Sequence, residues 1–208
     1  MKTYGVVAAA GLSSRMGAFK PLMTIGGEAV LTRTVKSMIN GGASRVVVVL
    51  GHRAEEARAV LRSPFPAGVQ YVLNPDFGTT DMLASVKLGL AQLPPIEADR
   101  VSPAPSVFFL PGDMPFVAPD TFRILKEQAE LTRALVVFPL LDGRRGHPPL
   151  ISCRCLPRIL DFSGPGGLRG ALGMFADKTI EVEVNDKGCR IDLDTMEDYE
   201  EALEMFMK

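Results

Sequence analysis

The 208-residue chain is short of three things that mark whole classes of protein. It has few cysteines: Cys153, Cys155 and Cys189 are odd in number, with one Cys-x-Cys pair and no repeated Cys-x-x-Cys. That excludes a disulfide framework and gives no zinc spacing, so three free thiols in a reducing cytoplasm are expected. It has no charge excess, since 23 basic residues against 24 acidic leave a formal charge of −1 without a long block of one sign. Duplex nucleic acid and anionic membrane surfaces are therefore not expected partners, and any anion site must be local. It also has no long apolar run: the longest reach about ten residues, against the roughly twenty that cross a bilayer. The start "MKTYG" leads straight into a strand-like segment, so neither a signal peptide nor a membrane span is expected.

What is present is apolar content of 47% spread from end to end, enough for one ordered domain over residues 1–208. Short, β-rich apolar runs recur: "GVVAAA" from Gly5, Val46 to Leu50, Val69 to Leu73, Val107 to Leu110 and Leu135 to Phe138. Between them lie segments of helical spacing, such as Val30, Val35, Met38 and Ile39, or Leu83, Val86, Leu90 and Leu93. Strands apolar on both faces belong inside a parallel sheet. The alternation predicts an α/β fold, a doubly wound and mostly parallel sheet with helices on both faces. From Gly143 the pattern loosens, and the later strand "TIEVEV" and closing helix read as a region packed on the same sheet. Ligands in such folds bind at the carboxyl ends of the strands.

The first such end is "VVAAAGLSSRMGAFKPL", Val6 to Leu22. Its glycines fit neither a Walker A loop nor the Gly-x-Gly-x-x-Gly dinucleotide fingerprint. Small side chains at Ala9, Ala10 and Gly11 let a ligand lie against the main chain. Ser13 and Ser14 add hydroxyls, and Arg15 and Lys20 add positive charge. A run of backbone N–H groups with two cations suits a triphosphate, although a plain strand-to-helix connection accounts for the same spacing.

A second candidate is "LPGDMPFV", where Asp113 stands just past a strand between Pro111 and Pro115. A lone carboxylate there can hold Mg²⁺, which takes one or two carboxylates plus phosphate oxygens and water. Asp120 is the expected cap of the following helix, which leaves Asp113 for the site. In "RIDLDTMEDYEEAL", Thr195 and Asp198 form a capping pattern. Asp192 and Asp194 alternate and so share a face, with Asp192 the expected second metal ligand because Asp194 lies closer to the cap. Two weaker patches could take an anionic second substrate: Arg144, Arg145, Gly146 and His147 in "GRRGHP", and Gly167 with Arg169 before a short helix. Both also read as ordinary turns.

Taken together these pieces resemble the MobA-like NTP transferase family, and within it the nucleotidyltransferases that act late in molybdenum cofactor synthesis. The signature is "AAG-x-S-x-RMG-x-x-K", matched over Ala9 to Lys20. "NPDFG" from Asn74 and "SVKLGL" from Ser85 follow in order, then "PGDMP", "GRRGHP" and "DLDTMEDY". The resemblance implies nucleotidyl transfer: an acceptor phosphate attacks the α-phosphorus of a nucleoside triphosphate and pyrophosphate leaves. It implies Arg15, Lys20 and Asp113 as catalytic groups. Ala9, Ala10, Gly11, Ser13, Ser14, Asn74, Gly78, Ser85 and Gly112 would meet the nucleotide, and Mg²⁺ would sit on Asp113 and Asp192. The acceptor, a phosphorylated pterin-type cofactor, would meet Arg144, Arg145, Gly146, His147, Gly167 and Arg169. "AAG" is similar to the cytidylyltransferase branch and favours CTP, where the guanylyltransferase branch carries "AGG". A molybdoenzyme or chaperone is the implied protein partner. One departure bears on the acceptor: Gly164 to Arg169 replaces an acidic "GD-x-G-A-R" turn. The other, Met196 where the family's "DTPED" has proline, removes only a favourable first-turn residue. Two other readings share these residues: transfer to a sugar or polyol phosphate, or from GTP, and a non-catalytic nucleotide- or cofactor-binding module.

Overall fold

The computed structural model describes residues 1–12, 17–61, 65, 68–95 and 103–206. The strands are β1 (Thr3–Ala9), β2 (Thr24–Ile25), β3 (Glu28–Ala29), β4 (Arg45–Leu50), β5 (Gly68–Leu73), β6 (Ser106–Pro111), β7 (Val136–Leu141), β8 (Arg144–Arg145), β9 (Leu150–Ser152) and β10 (Thr179–Glu183). The helices are α1 (Val30–Asn40), α2 (Ala54–Val60), α3 (Met82–Ala91), α4 (Pro119–Thr132), α5 (Leu156–Asp161), α6 (Gly167–Gly173) and α7 (Met196–Phe206).

The main sheet runs β10-β7-β9-β6-β1-β4-β5, with β8 paired to β7. β1 lies parallel to both β4 and β6, β4 is parallel to β5, and β10 is parallel to β7. Only β9 interrupts the parallel order along this path, pairing antiparallel with β6 and β7. The region after Gly143 therefore completes the same sheet.

Alternation along each central strand explains the two layers. Val6, Val47, Val49, Val107 and Phe109 face one side, packed by Leu83, Val86 and Leu90 of α3 and by Ile159 and Leu172. Val7, Val46, Val48, Phe108 and Leu110 face the other, packed by Leu31, Val35 and Met38 of α1 and by Phe122 and Leu125 of α4. Helices thus cover both faces, which is why the strands are apolar throughout.

A small third cluster matters more for the site. Ile25, Val30, Phe116, Leu193 and Ala202 pack together, joining the β2–β3 hairpin to α7. The Thr195–Asp198 capping box is formed: Asp198 Oδ2 accepts from the Thr195 N–H at 2.7 Å, and Thr195 Oγ1 accepts from the Asp198 N–H at 3.1 Å. Asp120 does not cap α4. It sits in the first turn and pairs with Arg123, while Asp186 Oδ2 accepts from the Ala118 N–H at 2.9 Å and from Thr121 Oγ1 at 2.6 Å. Among the described residues no helix is long and apolar enough to cross a membrane.

Candidate active site

Parallel pairing brings the carboxyl ends of β1 and β6 side by side, with Ala8 opposite Pro111. The contact continues past the strands, where the Gly112 N–H donates to Ala8 O at 2.8 Å. A Cβ at residue 112 would stand 2.8 Å from the Ala9 Cβ and 3.2 Å from Ala8 O, so the approach requires glycine. Thr34 of α1 steadies the turn by donating to Gly112 O at 3.2 Å. This turn sets Asp113 at the mouth of the sheet.

Lys20 opens a short 3₁₀ turn, Lys20–Leu22, and is only 8% exposed. Its Nζ donates to Asp113 Oδ2 at 3.1 Å and to Asp194 Oδ1 at 2.6 Å. Burial pulls the Lys20 ammonium down, but the hydrogen bonds and charges of Asp194 and Asp113 outweigh it and leave the group raised. At Asp113 burial wins: it pushes the carboxyl up against the lowering by Lys20, and the negative charge of Asp192 adds to the rise. Leu193 is fully buried in the third cluster and its N–H donates to Asp113 O at 3.2 Å. That contact carries the flanking Asp192 and Asp194 to the site.

Three recesses meet here. The first, about 280 Å³, is lined by Ala9, Ala10, Gly11, Lys20, Ser85, Gly112 and Asp113, with Phe77, Thr80, Asp81 and Met82 opposite. The second, about 760 Å³, is lined by Arg145, Gly146, His147, Gly167 and Arg169 over apolar walls from Phe109, Phe138, Leu168 and Leu172. The third holds Asp113, Asp192 and Asp194 together with Arg145 and His147, and so joins the other two. Asp81 and Met82 border both the first and the second of these clefts.

The structure thus brings most of the sequence-derived candidates together, some in other settings than expected. Asn74 is buried and lines none of these recesses. Its Nδ2 donates to Thr80 Oγ1 and Ser85 Oγ, both at 3.1 Å, and its Oδ1 accepts from the Asp76 N–H at 3.0 Å. It braces the loop that presents Thr80, Asp81 and Ser85. Gly78 lies on that loop, exposed and away from the cleft lining. Arg144 is exposed outside the wide cleft, whereas Arg145 stacks on Phe138 at 4.7 Å and donates to Glu181 at 2.6 Å. Ser13, Ser14 and Arg15 lie outside the described residues. Asp194 and Asp81 are site residues that the sequence reading did not single out. Alternation with Asp192 is a sequence signal for the first, and for Asp81 the sequence signal is an acid directly before the helical spacing that begins at Leu83.

His147 stands where the wide cleft meets the carboxylates. Burial pushes its imidazole down, against an upward pull from Asp192. Its Nδ1 is buried with no hydrogen-bond partner among the described residues. His52, by contrast, packs on Phe19 at 5.4 Å and near Phe77 at 6.0 Å, an ordinary loop contact. A narrow cleft with a buried cation, a wide cleft with two arginines and carboxylates between them can hold two phosphate-bearing molecules with their phosphates meeting at Asp113.

Comparisons with known proteins agree with that geometry. The MobA-like NTP transferase domain matches residues 5–180. The chain is 29% identical to the molybdenum cofactor cytidylyltransferase of Escherichia coli over 97% of its own length and 95% of that protein's. Among solved structures, a nucleotidyl transferase from Methanothermobacter superposes with a TM-score of 0.81 at 26% identity, covering 99% of this chain and 98% of that one. Rv0371c from Mycobacterium tuberculosis superposes with a TM-score of 0.79 at 25% identity over 98% of both chains. It has also been solved as a complex with manganese, which superposes with a TM-score of 0.75 at 25% identity over 98% of this chain and 99% of that one.

Proposed function

This chain belongs to the MobA-like NTP transferase family and is a nucleotidyltransferase; we propose that it transfers CMP from CTP to the phosphate of a molybdopterin-type cofactor, releasing pyrophosphate. The observation that carries this reading is the meeting of the two clefts at Lys20, Asp113 and Asp194. The narrow cleft takes the nucleotide and the wide one the acceptor. An acceptor phosphate oxygen then lies in line with the α-phosphorus at the junction, so positioning and charge neutralisation do the work and no nucleophilic side chain is needed.

In this proposal the N–H groups around Gly11 meet the triphosphate, and Lys20 neutralises charge developing on the leaving pyrophosphate, with Arg15, Ser13 and Ser14 assigned beside it by the sequence motif. Ala10 is a buried residue of the nucleotide-cleft wall, and the "AAG" motif to which it belongs supports cytosine over guanine. Asn74 and Gly78 act through the shape of the 74–85 loop, and Ser85 and Gly112 line the cleft itself. Arg145 and Arg169 offer charge to the acceptor, while His147, Gly146 and Gly167 shape its site; Arg144 is assigned to the rim.

A divalent ion fits the carboxylates. Asp113 and Asp192 lie close enough for one to raise the pKa of the other, and such repulsion is relieved by a hard cation that takes carboxylate and phosphate oxygens. We assign Mg²⁺ to Asp113 and Asp192; when bound it would neutralise phosphate oxygens and stabilise the departing pyrophosphate. The manganese complex of the mycobacterial relative supports a divalent ion. Asp194 is left to Lys20. Titration of CTP, GTP, ATP and UTP with and without Mg²⁺, by calorimetry, tests the nucleotide half of the reading. Preference for CTP that depends on Mg²⁺ is expected, and equal binding of GTP would overturn it.

A further inference from the structure

Asp81 is exposed and borders both clefts. It is the N-cap of α3, where its Oδ1 accepts from the Ala84 N–H at 3.0 Å. That bond fixes the direction of the carboxylate. The second oxygen, Oδ2, stands 3.5 Å from the point a Cβ would occupy on Gly167, so it faces the acceptor-side turn, where glycine leaves it uncovered. No ion pair with Asp81 occurs among the described residues, although Lys20, Arg145 and Arg169 all line the same two clefts.

An ionised carboxylate accepts hydrogen bonds and donates none. Set between two clefts that receive phosphates, it repels them and attracts N–H or O–H donors. The neighbouring walls decide between these donors. Phe109, Phe138, Leu168 and Leu172 form an apolar surface suited to the face of a flat ring rather than to a hydrated polyol. We propose that Asp81 is a specificity-determining residue that binds the N–H edge of the acceptor. The acceptor class is then an amino-substituted nitrogen heterocycle, with its ring between the apolar walls and its phosphate toward Asp113. This rests on the reading of the wide cleft as the acceptor site.

The variant Asp81→Asn separates recognition from capping, because asparagine caps helices as well as aspartate does but lacks the charge. Asp81→Ser retains a capping oxygen and removes the second one, should the asparagine variant fold poorly. In steady-state assays with CTP and molybdopterin, either variant should raise the KM for the acceptor by roughly 10- to 100-fold, the loss of one charge-assisted hydrogen bond. The KM for CTP should not rise, since the lost charge only repels phosphate, and the melting temperature should stay at the wild-type value. A second readout uses free pterin, 2-amino-4-oxopteridine, in fluorescence titrations without nucleotide: the wild type binds it and the variants bind it correspondingly less. An unchanged acceptor KM in an active variant overturns the role of Asp81 and leaves the proposed function standing. A variant whose KM rises for CTP alone also overturns it. A wild-type protein that neither turns over molybdopterin nor binds pterin overturns the proposed function, and the role of Asp81 with it.

Discussion

Lys20→Ala removes the cation that holds two carboxylates in place. Its ammonium is hydrogen-bonded to Asp113 at 3.1 Å and Asp194 at 2.6 Å. Removing one member of a fully buried ion pair costs about 3–5 kcal/mol. Here the Asp113 and Asp194 side chains are 22% and 40% exposed, so water takes up part of the charge and a loss of about 1–3 kcal/mol is expected. Urea unfolding reads that loss directly. Catalysis should suffer more, since losing a preorganised positive charge at a developing phosphate anion costs about 10²- to 10³-fold in kcat. Lys20→Arg should not rescue it, because a planar fork does not replace a point charge between two carboxylates. Lys20 also competes with any metal ion for Asp113. Mg²⁺ should therefore raise the unfolding midpoint of Lys20→Ala more than that of the wild type. Turnover by Lys20→Ala within about threefold of wild type would refute the role given to this residue.

Ala10 lines the nucleotide cleft, and Ala10→Gly is expected to shift the GTP-to-CTP ratio of kcat/KM by about tenfold or more, the effect of one methyl-sized change at a pocket. An unchanged ratio would count against base selection at this residue. At residue 146 a Cβ would meet Cys189 O at 2.6 Å and displace the His147 N–H, which donates to that same oxygen at 2.6 Å. Gly146→Ala should therefore raise the acceptor KM and cost about 1–3 kcal/mol of stability, with CTP affinity unmoved in calorimetry. Burial pushes the Cys153 and Cys155 thiols up to about 12 and Cys189 up to about 11, from an ordinary value of 9.0. The unfolded chain thus loses protons first. Stability is full below pH 9.0 and falls above it by about 1.4 kcal/mol per pH unit for each thiol. A Cys153→Ala, Cys155→Ala, Cys189→Ala variant should flatten that slope in unfolding measurements from pH 9 to pH 11.

The central strands were legible because each is short, β-rich and apolar on both faces, a pattern that few other structures produce. The three-residue β9 was not, since Leu150–Ser152 follows two prolines and is a strand only because β6 and β7 leave a gap between them. The same limit applies to α4: Asp120 is the nearest acid to its start, yet the carboxylate that accepts from the Ala118 N–H there is Asp186, far along the chain. Lys20 and Asp113 lie at one cleft because both follow strand ends that pair side by side. Motif spacing could not tell Asp192 from Asp194 as the partner of Lys20, since alternation puts both on one face and burial of Leu193 sets their reach. Asn74 shows the converse. Its motif matches a nucleotide site, while its amide is spent bracing Thr80 and Ser85.

Transfer of CMP is read from the mass of the product. Purified protein incubated with CTP, Mg²⁺ and molybdopterin should yield a species heavier than the acceptor by one CMP residue, with one pyrophosphate released for each. GTP or a sugar phosphate in place of the matching substrate should give little of either. Pyrophosphate release without the CMP adduct, or equal adducts from GTP, would rule out CMP transfer from CTP to this acceptor.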